Sequence, residues 1–202
     1  MGKTLAGAQM LSEGLRERTI HKFYRAIVSG NVTKPVHLSG WLIKDEHTNQ
    51  VKILTQEQKD AVRIETSYTS VQAKGTCSLL EICLITGKTH QIRAHLASVG
   101  HPVIGDRKYG DPSVNHKFYG TFHVDHQLLH AYRLEFPDGR VFTAPMPEIF
   151  KDGKGAWIAD ADLEFKGTAR INTGGSFKPY KRKICTQRSG TDPEDPDTDY
   201  SY

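Results

Sequence analysis

The stretch 86–110, TGKTHQIRAHLASVGHPVIGDRKYG, constrains the fold most, because one short run holds a helix start, a cluster of polar groups and a sharp exit. Thr89 is placed to cap a helix, and Gly100 followed by His101 and Pro102 ends it by a left-handed exit and then blocks continuation. Ile92, Leu96 and Val99 recur at helical spacing as a buried stripe, which leaves His90 and Arg93 together on another face. A guanidinium in the first turn lies at the positive end of the helix dipole, where a cation is least favoured. Arg93 therefore calls for an anionic partner, a carboxylate or a phosphate.

Upstream, Leu5, Ala8, Leu11 and Leu15 share one face of a predicted amphipathic helix over 4–18. A strand follows in which Phe23, Arg25 and Ile27 alternate with Tyr24, Ala26 and Val28. Further strands are predicted at 36–43, 50–54, 62–69, 78–85, 128–136 and 140–144, the last two joined by an Asp138-Gly139 turn. Many strands, few helices and hairpin-length connections predict an α+β fold on a mixed, largely antiparallel sheet. The domain is expected to span 1–165. From Lys166 the pattern gives way to a tail with a basic cluster (Lys178, Lys181, Arg182, Lys183) and an acidic end (Asp192, Glu194, Asp195, Asp197, Asp199), which predicts disorder.

Three blocks in order, HKFYRAIVSG at 21–30, GKTHQIRAHLASVGHPVIGD at 87–106, and LLHAYRLEF with FTAPMP across 128–147, resemble the RluA/RluD-type pseudouridine synthases. The resemblance covers about 1–150 and implies an enzyme that isomerises uridine within structured RNA, ribosomal RNA foremost and transfer RNA as a further substrate class, without a cofactor. It implies that Arg93 pairs with the catalytic aspartate and that Tyr24 stacks on the extruded uracil and is placed to take part in removing the proton from the ring carbon that becomes the new attachment point. Lys22, Lys88, His90 and Gln91 are the implied RNA contacts; for His90 and Gln91, capping and local hydrogen bonding are equal alternatives. The family's aspartate lies in an Arg-Leu-Asp-x-x-Thr-Ser-Gly motif just upstream of the segment matched by GKTLAGAQMLSEGLRERT, which here begins at Gly2. That motif would precede residue 1, so the chain is expected to be the C-terminal part of a catalytic domain, inactive alone. The competing reading is a non-catalytic RNA-binding module.

Asp106 is the carboxylate within the late motif, but beside Gly105 and Arg107 it reads as turn chemistry and not as a replacement catalytic group. His123, His126 and His130 do not fall on one face of any single element, and Cys77, Cys83 and Cys185 lack zinc spacing, so no metal is expected. An odd cysteine number fits a reducing cytoplasm. No apolar run approaches the roughly 20 residues that span a bilayer, and no signal-peptide pattern follows Met1. The net charge of +4 is small. Charge alone does not indicate nucleic acid, so the RNA reading rests on the motifs.

Overall fold

The computed structural model describes residues 4–151 and residue 158. Helix α1 (Leu5–Arg16) starts at Thr4, whose side chain accepts the Gly7 N–H, as expected of a hydroxyl N-cap. Strand β1 (His21–Ser29) follows, then β2 (Val36–Asp45), β3 (Gln50–Leu54), β4 (Val62–Lys74) and β5 (Cys77–Leu84). Helices α2 (Gln91–Ser98) and α3 (Pro112–Phe122) separate these from β6 (Leu129–Glu135) and β7 (Val141–Thr143). A 3-10 turn at Glu148–Phe150 closes the described segment. The seven strands form one sheet in the order β3-β2-β4-β5-β1-β6-β7, every pair antiparallel. The expected α+β architecture holds, and its sheet is wholly antiparallel among the described residues.

Strand β1 is buried on both faces near its end, and its alternation separates two cores. Ala26 and Val28 join Leu38, Tyr68, Leu80, Ile82 and Leu84 beneath Ile92 and Leu96 of α2. Ile27 points the other way, with Cys77 and Leu79, onto Phe118 of α3, Phe150 and Ile158. The helices thus cover opposite faces. Farther along the second face, Glu81 ion-pairs with Arg25 at 2.9 Å and accepts a hydrogen bond from the Tyr132 hydroxyl, while Arg133 stacks on Phe23.

Two local expectations are corrected. The apolar side of α1 is not buried among the described residues: Leu5 is 76% exposed, and the helix instead seats Gly14 against Ile20, where a Cβ would meet Cδ1 at 2.6 Å. The helix start predicted at Thr89 falls one residue later, with His90 at the N-cap in a left-handed conformation (φ 55). The exit agrees with the sequence. Gly100 (φ 82) donates to the Ala97 carbonyl and His101 to that of Leu96, the paired bonds of a Schellman termination. The predicted tail from Lys166 lies outside the described residues, as does Cys185.

Candidate active site

A buried polar ladder fixes the start of α2. Thr86 Oγ1 accepts the Glu65 N–H at 2.9 Å and donates to Gln91 Oε1 at 2.9 Å. The Gln91 Nε2 donates to the Glu65 carbonyl (2.9 Å) and to Thr66 Oγ1 (3.0 Å), and its Oε1 also accepts the Lys88 N–H (3.1 Å). Gln91 itself donates its backbone N–H to the Lys88 carbonyl, closing the turn ahead of the helix. That closure is why Thr89 does not cap. Of the two readings that the sequence leaves open for Gln91, these bonds favour local hydrogen bonding over an RNA contact, since the residue is 1% exposed with both amide ends engaged.

Arg93 finds its carboxylate within the chain. Its Nε donates to Asp106 Oδ2 and its Nη2 to Oδ1, both at 2.6 Å, a bidentate pair with Asp106 fully buried. Asp106 Oδ1 also accepts the N–H groups of Lys108 (2.8 Å) and Tyr109 (3.1 Å). Burial raises the Asp106 pKa, but the Arg93 hydrogen bond and these two N–H groups outweigh it, and the carboxyl titrates below its usual range. The turn expected at Asp106 is present, and it carries the Arg93 partner as well.

Tyr109 organises the same corner. Its ring lies 5.2 Å from Arg93 Cζ, and its hydroxyl accepts the Val51 N–H at 2.9 Å and stands 3.0 Å from His90 Nδ1. With its oxygen accepting from Val51, the hydroxyl can still either donate to Nδ1 or accept from it in a neutral His90. Burial, then the neighbouring Arg93 and Lys108, lowers the His90 pKa and favours this neutral form.

Lys22 and Tyr24 approach from β1. Lys22 pairs with Leu84 at the end of β5, and its Nζ would lie 3.2 Å from a Cβ on Gly87, so it reaches the turn carrying the exposed Lys88. Burial raises the Tyr24 pKa and keeps its phenol protonated. Tyr24 packs against the core cluster that contains Ile92, the residue before Arg93, and borders a cavity of about 240 Å³ that Lys22, Ala131, Arg133 and Phe142 also line. The histidines 123, 126 and 130 lie apart: His123 ends α3, His126 pairs with Asp125 at 2.5 Å, and His130 stands in β6 beside Phe150.

Residues 1–98 match the family model described as RNA pseudouridylate synthase. Ribosomal large subunit pseudouridine synthase D of Neisseria meningitidis serogroup A is 34% identical over 161 residues, covering 73% of this chain and 41% of the relative. The synthase D of Nitrosomonas europaea is 31% identical over 157 residues, with 73% and 44% covered. The chain belongs to the RNA pseudouridylate synthase family. It spans less than half the length of these curated relatives. The solved structure of human RNA pseudouridylate synthase domain containing 1 superposes with a TM-score of 0.60 at 25% identity, covering 73% of this chain and 62% of that one. That of human domain containing 4 gives 0.60 at 20%, and 73% and 66%.

Of the residues singled out from the sequence, His90 and Arg93 open α2, Lys22 reaches the Gly87 turn beside Lys88, and Tyr24 packs on the cluster that contains Ile92. Sequence reasoning missed Tyr109 and Asn115. Tyr109 carries no signal of its own beyond lying three residues after Asp106 in the same motif. Asn115 sits on α3 and bonds the Gly105 N–H and the Asp106 carbonyl, and nothing in its spacing ties it to that turn.

Proposed function

We propose that this chain is the RNA-facing part of a pseudouridine synthase acting on structured RNA, ribosomal RNA first, in the cytoplasm. In the reaction the bond from ribose C1′ to uracil N1 breaks, a bond from C1′ to C5 forms, and the C5 proton is lost while N1 gains one. No external redox equivalent or energy source is required. The target base must leave its stack, and Tyr24 supplies the aromatic platform for it. A phenol held protonated by burial stacks well and is a weak base, so stacking is its main role. Arg93 orients the aspartate that initiates cleavage, the carboxylate of the family's Arg-Leu-Asp motif. Lys22, which reaches the turn at Gly87, and Lys88, exposed on that turn, meet phosphate, and the His90 imidazole offers a further polar contact.

The observation that carries this reading is Arg93 held side-on by Asp106 within the family motif, with further N–H groups left to donate. The test is pseudouridine formation in ribosomal and transfer RNA, measured by mass spectrometry. A full protein that joins this chain to an Arg-Leu-Asp segment should turn over, and the 202 residues without such a segment should not. RNA binding by the full protein without turnover on any RNA would instead favour a non-catalytic binding module.

A further inference from the structure

A guanidinium carries five N–H donors, and Asp106 occupies two of them along one edge of Arg93. Tyr109 covers a face at 5.2 Å. Among the described residues, three donors remain, on Nη1 and the outer side of Nη2. Asp106 is itself anchored: its carbonyl accepts from Asn115 Nδ2 (2.9 Å) and from the Gly110 N–H (3.0 Å), and the Gly105 N–H donates to Asn115 Oδ1 (2.7 Å). Asn115 belongs to α3, so the rigidity of the frame comes from the opposite face of the sheet.

We propose that Asp106 is a positioning residue for the reaction: by clamping one edge of Arg93 it presents the other edge, in a single orientation, to a second carboxylate at the reaction centre. This rests on the pseudouridine synthase reading above. The Arg93–Asp106 pair is formally neutral, so the presented edge acts through directed N–H groups and not through net charge. Such an edge suits a carboxylate that must be aligned more than it must be attracted. A free arginine arm would lose rotamer entropy at each encounter, whereas the clamped one has already lost it.

Asp106→Asn keeps the shape and an oxygen for the Lys108 and Tyr109 N–H groups but removes the charge and one guanidinium acceptor. In the full protein carrying this chain, the single-turnover rate at saturating RNA should fall roughly 10- to 100-fold while RNA affinity changes less than about threefold. In an Arg93→Gln background the same change should add no further loss of rate, since a residue acting only through Arg93 has nothing left to orient. Equal losses of rate and affinity, an unchanged rate, or an undiminished further loss in the Arg93→Gln background would each overturn the proposal. A second readout needs no activity. With ¹⁵N-arginine labelling, Arg93 Nε–H should give a sharp, slowly exchanging resonance in the unsubstituted chain that Asp106→Asn abolishes, and an averaged signal in the unsubstituted chain would overturn the clamp. If the full protein forms no pseudouridine on any RNA while this resonance behaves as expected, the functional reading fails and the clamp stands.

Discussion

Thr66 Oγ1, on β4, lies 3.1 Å from Nδ1 of His95, on α2, and both residues are buried. The hydroxyl accepts from Gln91 Nε2 and also meets His95 Nδ1, in a direction set by the imidazole tautomer. Burial, and secondarily His37, lowers the His95 pKa from 6.5 to about 4. The fold holds a neutral imidazole in its core.

A pH dependence follows from this arrangement. Below about pH 6.5 the unfolded chain binds a proton at His95 that the folded chain refuses until about pH 4. Stability should therefore fall as pH drops through that window, and this group should contribute no slope above or below it. The full shift corresponds to roughly 3 kcal/mol. Urea unfolding across the pH range should show His95→Gln with a flatter profile than the parent between pH 6.5 and 4. Parallel profiles would show that His95 is protonated in the native state.

Gln91→Ala separates structural from RNA-contacting roles within one motif. It removes four hydrogen bonds, two of them fully buried, and leaves the Glu65 carbonyl and the Thr66 hydroxyl short of partners. A stability loss of about 2–4 kcal/mol is expected. RNA affinity, measured well below the melting temperature, should change little. Lys88→Ala should do the reverse, with stability intact, weaker RNA binding and a shallower dependence on salt.

Gly105 tests the turn that carries Asp106. Its φ is +80, and a Cβ there would lie 2.1 Å from the backbone oxygen of His126, which cannot move as a side-chain tip could. Gly105→Ala combines left-handed strain with a backbone clash and should cost about 2–4 kcal/mol. Thermal melts decide this. The equivalent change at Gly139, also at positive φ but with open space around its Cβ position, should cost less.

Several features were legible in the sequence because their causes are local. The alternation through 23–28 marks a strand whose two sides face different cores, and the Gly100-His101-Pro102 exit specifies its own hydrogen bonds. The need of Arg93 for an anion could be read from its place in the first helical turn. Which anion meets it could not, because Asp106 is 13 residues away, beyond any helical or strand period, and reaches Arg93 only after the loop returns along β1 through the Val28–Val103 bridge. The helix start shifted from Thr89 for a similar reason: Gln91 is recruited by Glu65 and Thr66 of a strand some 25 residues earlier, and that contact outweighs a local capping preference. Periodicity and turn chemistry thus determined the elements. The pairing of charges around Arg93, and the lowered pKa values of His90 and His95, were decided only when the sheet brought distant donors and acceptors within hydrogen-bond reach and excluded the water that would otherwise have satisfied them.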